Sequence, residues 1–190
     1  MNAPTRLAEV IPQTIEFKLD GRAVQAFEGE TILQAAQRHG VDIPHLCYKE
    51  GLRPDGNCRA CAVEVKGERT LAPSCCRNAT AGMEVQANSE RALKSQKMVV
   101  EMLLSDMPDR GYKWNDEEGG PSGGQHGELS EWAERLHIEV RPELKALRRE
   151  QPKSDVSHPA MAVNLDACIQ CTRCVRACRE EQVNDVIGYA

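Results

Sequence analysis

Two spaced groups of four cysteines are the residues in this 190-residue chain with chemistry to offer, and with Cys76 they account for all nine of its cysteines. Cys47, Cys58, Cys61 and Cys75 give the spacing Cx10CxxCx13C, and the first three share the irregular segment LCYKEGLRPDGNCRAC. A 2Fe–2S cluster needs four thiolates around a compact anionic core, with backbone N–H groups donating to the sulfurs. Gly51 and Gly56 suit such a loop, because glycine lets the backbone approach where a Cβ would block it. Cys76 adjoins Cys75, and spacing alone leaves both open as the fourth ligand. A zinc ribbon normally brings two CxxC knuckles, whereas this set has one, Cys58 and Cys61.

Cys168, Cys171, Cys174 and Cys178 form CIQCTRCVRAC, the CxxCxxCxxxC run of bacterial ferredoxins. In two-cluster ferredoxins the first three cysteines bind one 4Fe–4S cluster and the fourth reaches the other. The sequence ends at Ala190 without a second run. The expectation is an incomplete 4Fe–4S site on Cys168, Cys171 and Cys174, with Cys178 a ligand to a second 4Fe–4S cluster of a longer parent. Closure of one cluster by all four is the alternative. Arg173, Arg176 and Arg179 either offset cluster charge or form an ordinary solvated helix face.

The elements that must position these cysteines are legible in the hydrophobic pattern. TIEFKLD (14–20) alternates strictly, placing Ile15, Phe17 and Leu19 on one strand face. Asp20-Gly21 is a favoured two-residue hairpin turn, so Arg22 to Phe27 returns as the partner strand. TILQAAQRHG predicts a helix with Ile32, Leu33, Ala35 and Ala36 inward and Gly40 at its C-terminal cap. CAVEVKG and MEVQ read as further strands. This order is the β-grasp arrangement of small ferredoxins. From Ser89 to about Leu104 a helix follows, with Ala92, Leu93, Val99, Val100, Leu103 and Leu104 on one stripe. A Gly- and Pro-rich break spans 114–127, and SEWAERL and PELKALRRE predict two modest helices.

Net charge is −5 with no long basic block, which argues against nucleic acid and membrane surfaces as partners. No export signal or membrane span is evident, and the reading is a soluble cytoplasmic protein without membrane insertion. An odd cysteine count in a reducing compartment points away from disulfides. No nucleophile–base pair, phosphate loop or dinucleotide fingerprint occurs, so this segment carries electrons and has no substrate site or catalytic residues. His45, His126 and His158 read as structural or solvent residues, Trp114 and Trp132 as packing anchors, and Asp116, Glu117 and Glu118 as a solvated acidic run.

The run from Ile15 to Val85, with GETILQAAQRHGVDIPHLCY, CRACAVEV and PSCCRNATAGMEV, resembles the N-terminal 2Fe–2S domain of the complex I large iron–sulfur subunit. Its relatives include the small diaphorase subunit of NAD-reducing hydrogenase and the α subunit of cytoplasmic NAD-dependent formate dehydrogenase. In that family the last ligand precedes the GMEV-like strand by a fixed interval, which implies Cys75 and leaves Cys76 a spare thiol. SHPAMAVNLDACIQCTRCVRACREEQVNDVIG resembles the corresponding segment of molybdenum- or tungsten-containing formate dehydrogenase α subunits. The resemblance implies a larger parent with a second cysteine run and a molybdopterin-bearing catalytic part outside these residues. It also implies a flavin- and NADH-binding iron–sulfur subunit as partner and an electron path between formate and NAD.

Many relatives carry a His-plus-three-Cys 4Fe–4S site between the two regions, but this chain has no cysteine from Arg77 to Ala167. Electron passage then requires either that the second cysteine module packs close to the first or that a partner's cluster bridges them. The expected fold class is α+β. A β-grasp 2Fe–2S ferredoxin domain at 12–87 is followed by a helical region at 88–157 and the first half of a two-cluster ferredoxin module at 158–190. The competing functions are a stand-alone small 2Fe–2S carrier or diaphorase subunit, and a structural zinc protein.

Overall fold

A computed structural model describes residues 13–107, 127–148, 150, 155–165 and 167–188. His126, Trp114, the acidic run 116–118 and nearly all of the Gly-rich segment lie outside them. Strands β1 (Thr14–Leu19) and β2 (Arg22–Phe27) form the expected antiparallel hairpin, with Asp20 and Gly21 at φ of 50° and 80°. Both central residues of a tight hairpin turn need positive φ, which Asp and Gly adopt most readily. Helix α1 (Ile32–Arg38) starts at Thr31, whose side chain accepts from Gln34 N while Gln34 Oε1 accepts from Thr31 N. This reciprocal capping box satisfies two helix-end donors. Gly40, at φ 70°, turns the chain away just past the helix.

Three more strands complete a mixed sheet: β3 (Ala62–Val65), β4 (Ala72–Pro73) and β5 (Glu84–Gln86), in the order β2-β1-β5-β3-β4. The β1–β5 pairing is parallel and the others antiparallel. Phe17, Leu19, Val63 and Val85 from the sheet bury against Ile32, Leu33, Ala35 and Ala36 of α1. The two-residue β4 is too short to leave an alternating signature in the sequence.

Helix α2 (Glu90–Ser105) is capped by Ser89 Oγ, which accepts from Ala92 N, and it rests on β3 through Ala92, Gln96 and Val100. Gln96 is the unexpected member of that stripe. Its buried amide donates to the Ala62 carbonyl at 2.9 Å and the Ala87 carbonyl at 3.1 Å, tying α2 to two strand ends. At the hairpin tip, Asp20 Oδ1 accepts from Ala87 N (2.7 Å) and Asn88 N (3.3 Å), fixing the entry to α2.

Helices α3 (Glu128–Arg135) and α4 (Pro142–Lys145) follow, the latter with Pro142 in its first turn as expected but shorter than its sequence pattern. Arg141 grips Glu101 of α2 through Nε and Nη2 (2.8 and 3.1 Å), which draws the Glu101 carboxyl below its usual range. A second apolar cluster joins Val100, Met107, Leu129 and Ala133 to Leu46 and Ala60, with Trp132 packed against it. Leu46 and Ala60 adjoin Cys47 and Cys61, so the helical region shares its core with the first cysteine segment rather than forming an independent unit.

Strands β6 (Asp155–His158), exposed along its length, and β7 (Met161–Val163) make a hairpin that sequence reading did not anticipate. Helix α5 (Arg173–Arg176) runs directly into a π-helical turn, Ala177–Glu181. No described helix is long and apolar enough to cross a membrane.

Candidate metal centre

Cys47, Cys61 and Cys75 are wholly buried and Cys58 half-buried, while Cys76 is exposed. Their surroundings explain how a loop and a separate turn deliver them. The first N–H groups of α1 lack partners within the helix. Ile32 N donates to the Arg77 carbonyl (2.9 Å) and Leu33 N to the Ser74 carbonyl (3.0 Å), so the helix start clamps the turn that carries Cys75. Ser74 N in turn donates to the Cys61 carbonyl at 3.0 Å.

Cys47 N donates to Cys58 Sγ (3.4 Å) and Cys58 N donates to Cys47 Sγ (3.5 Å), a reciprocal pair of N–H···S contacts. Between Cys58 and Cys61, Arg59 takes a left-handed conformation at φ 59°. That conformation costs a non-glycine residue about 1–3 kcal/mol and is typical of sites where function dictates the backbone. Alternating handedness turns successive N–H groups inward, forming a concavity suited to anions, iron–sulfur cores among them. Gly56, at φ 63°, lies where an added Cβ would come within 3.0 Å of Cys76 Sγ.

The sulfurs are close enough to compete for protons. The thiols of Cys58 and Cys75 both donate toward Cys47, which drops far below the usual thiol range, to about 2. Cys75 also donates toward Cys61, lowering it to about 7. Cys58 and Cys75 are pushed up in consequence, Cys58 by its bond to Cys47 and Cys75 by its bonds to Cys47 and Cys61. Iron cations held by these four residues would relieve this conflict, since each would take thiolates and no proton would remain to be shared. Buried Ser74 Oγ makes no well-formed hydrogen bond among the described residues, though it lies near enough to the Cys61 sulfur to help lower that thiol. Four contiguous sulfurs, inward N–H donors and this unspent hydroxyl fit an iron–sulfur core. Among the described residues no three His, Cys, Asp or Glu side chains close on a point suited to one metal ion. A binuclear cluster asks for less, because each iron takes two protein thiolates.

Cys76 Sγ lies 3.6 Å from Cys75 Sγ but on the solvent side. His45 is a structural residue: Nδ1 donates to the Ile43 carbonyl at 2.8 Å, and the ring meets Tyr48 and Trp132 edge-on. His158 is exposed, with Nδ1 accepting from Ala160 N.

In the second set Cys168 and Cys171 are half-buried, Cys174 is exposed and Cys178 is buried in the π-helical turn. Gln170 and Thr172, between these cysteines, are left-handed at φ 53° and 64°, as Arg59 is in the first set. This segment packs on the first cysteine loop. Asn57 Nδ2 donates to the Gln170 carbonyl (2.7 Å), Thr172 Oγ1 to Asp55 Oδ2 (2.8 Å) and Arg173 Nη2 to the Tyr48 carbonyl (2.7 Å). A groove of about 610 Å³ opens where they meet, walled by Cys58, Arg59, Met102, Leu103 and Ile169.

The solvated-face reading of the three arginines fails for Arg176, which is buried, and holds for Arg179, which is exposed and pairs with Asp185 at 3.0 Å. Arg173 reaches Glu128 of α3 as well as the Tyr48 carbonyl. The roles of Arg59, Ser74 and Gln96 had no sequence signal; each depends on backbone neighbours brought from elsewhere in the chain.

Residues 12–90 match the family described as 2Fe-2S iron-sulfur cluster binding domain. The chain is 36% identical over 179 residues to NADP-reducing hydrogenase subunit HndD of Solidesulfovibrio fructosivorans, covering 90% of this chain and 28% of that protein. It is 35% identical over 185 residues to the mitochondrial NADH-ubiquinone oxidoreductase 78 kDa subunit of Candida albicans, covering 96% of this chain and 23% of that one. Among solved structures, NAD+-reducing [NiFe]-hydrogenase in the H2-reduced state superimposes with a TM-score of 0.72 at 28% identity, covering 93% of this chain and 71% of that chain. The chain thus spans about a quarter of the length of these curated relatives, and residues 12–90 are a ferredoxin-type 2Fe–2S domain.

Proposed function

We propose that this chain is an iron–sulfur electron-transfer module of an NAD-linked oxidoreductase, with Cys47, Cys58, Cys61 and Cys75 as ligands of a 2Fe–2S cluster. The observation that carries this reading is the convergence of four buried or half-buried sulfurs, tied by reciprocal N–H···S contacts, inside the segment that matches the cluster-binding family. When bound, such a cluster supplies one-electron redox change. The protein's part is to hold four thiolates, donate hydrogen bonds to sulfur and exclude water from three of the four ligands.

The finer reading rests on resemblance. The sheet order suits a β-grasp ferredoxin domain, and 158–190 suits the first half of a two-cluster module. There Cys168, Cys171 and Cys174 serve one 4Fe–4S cluster and Cys178 serves the next. The wording of 157–188 favours a formate dehydrogenase α subunit, with molybdopterin in its catalytic part and a flavin- and NADH-binding iron–sulfur partner. Close packing of the two cysteine segments supports direct electron passage between them.

Anaerobically purified protein is expected to contain iron with acid-labile sulfide, about two irons per chain if only the first set is loaded. Reduction should produce a 2Fe–2S EPR signal. Zinc without sulfide would sink the cluster assignment and favour a structural metal protein. In the assembled complex, reduction of that signal by formate as well as NADH is expected; reduction by NADH and not by formate would refute the formate reading alone.

A further inference from the structure

Arg176 sits between Cys174 and Cys178 and is 3% exposed. Its guanidinium donates from Nη1 to the Arg53 carbonyl (2.6 Å), from Nη2 to the Cys47 carbonyl and from Nε to Thr172 Oγ1 (3.0 Å). All three acceptors are neutral. The neighbouring cations each have a carboxylate: Arg173 pairs with Glu128, Arg179 with Asp185 and Arg53 with Glu180. Among the described residues none forms an ion pair with Arg176.

Hydrogen bonds to carbonyls solvate a buried guanidinium but leave its charge uncompensated, which is strongly unfavourable. Negative charge must come from the groups around it. Arg176 holds the backbone oxygen of one proposed ligand of the first set and lies two residues from each of two proposed ligands of the second. Tetrathiolate iron–sulfur cores are anionic and gain a further negative charge on reduction.

We propose that Arg176 is a positioning residue and counter-cation shared by the two cysteine sets. It pins the second cysteine segment to the first through the Cys47 and Arg53 carbonyls, and its charge stabilises the reduced form of the 2Fe–2S cluster. This inference rests on the ligand assignment proposed above. A unit charge about 10 Å away, at an effective dielectric of about 20, changes a charge-transfer equilibrium by roughly tenfold or more. For a one-electron couple a tenfold change is about 59 mV.

The test is an EPR-monitored redox titration of the iron–sulfur-loaded chain, compared with Arg176→Gln and Arg176→Lys. Arg176→Gln is expected to lower the potential by about 59 mV or more, and Arg176→Lys, which keeps the charge, by less than half as much. Tryptic cleavage after Arg173, whose half-buried guanidinium holds the Tyr48 carbonyl across the two segments, reads undocking and is expected to accelerate in both variants, so geometry and charge separate. Equal potentials in the parent and Arg176→Gln would overturn the electrostatic role, and unchanged cleavage in both variants would overturn the docking role. Cluster loss in Arg176→Gln with retention in Arg176→Lys supports the charge role. Loss in both overturns it, because the arginine would then serve the fold only. A parent chain with no 2Fe–2S signal instead refutes the ligand assignment, and this inference with it.

Discussion

Gln96→Leu replaces a buried amide with an apolar side chain of similar volume and should loosen α2 from the sheet. Gln96 is 1% exposed, and its Nε2 serves both the Ala62 and the Ala87 carbonyls. Each hydrogen bond contributes about 1 kcal/mol net, and a buried acceptor left without a donor costs about 1–3 kcal/mol. Leucine offsets part of this by its own burial, so the expected loss is about 2–4 kcal/mol. For a domain of this size, that lowers the thermal midpoint by roughly 10–20 °C. Urea unfolding followed by circular dichroism reads the effect as a fall in midpoint with little change in slope. The Ala62 carbonyl directly follows Cys61, so faster cluster loss under a chelator should accompany the lower midpoint. A variant within about 0.5 kcal/mol of the parent would show that the two carbonyls find other donors and that α2 is held by its apolar stripe alone.

Three further outcomes follow from the site and its supports. Cys58→Ser should abolish or strongly alter the 2Fe–2S spectrum, whereas Cys76→Ser should leave it intact, and an unchanged Cys58→Ser spectrum or a lost Cys76→Ser one would overturn the ligand assignment. In the loaded protein, mass spectrometry after brief alkylation should find Cys76 labelled and Cys47, Cys61 and Cys75 protected, with protection lost once a chelator has removed the iron. The Glu30 carboxyl is raised by partial burial but drawn further down by Arg38 and the Phe27 N–H, leaving it below its ordinary 4.5. Because the folded-state value is the lower one, the pair's contribution is present above about pH 4.5 and fades as pH falls through the folded value. Glu30→Gln should therefore be less stable than the parent at neutral pH, with the gap closing in acid; a constant gap would refute the linkage.

Alternation in TIEFKLD, the Asp20-Gly21 turn, the Thr31 start of α1 and the Gly40 stop were all legible, because each depends on residues adjacent in the chain. The gathering of Cys47, Cys58 and Cys61 was legible for the same reason, since they lie on one loop. What escaped is non-local. Gln96 reads as a polar interruption of a helical stripe until two strand carbonyls arrive to meet it. Arg176 reads as one of three evenly spaced surface cations, and only the approach of the Cys47 loop separates it from Arg179. The left-handed Arg59, Gln170 and Thr172 carry no glycine to announce them; tertiary contacts, not propensity, impose those angles. Strand β4 and the β6–β7 hairpin were too short or too polar to show a period.

The place of β5 in the sheet has a consequence for how the protein is made. It is the last strand of the sheet in sequence yet lies between β1 and β3, so until residue 84 is available the β1–β2 hairpin and the β3–β4 pair remain separate pieces. Cys47, Cys58, Cys61 and Cys75 are all synthesised inside that interval. During synthesis the thiols emerge before the strand that completes the sheet can lock, and closing so long a loop is slow compared with hairpin formation. The topology thus leaves a period in which the cysteine loop is made but the sheet beneath it is incomplete, and that period ends when β5 takes its place between its neighbours.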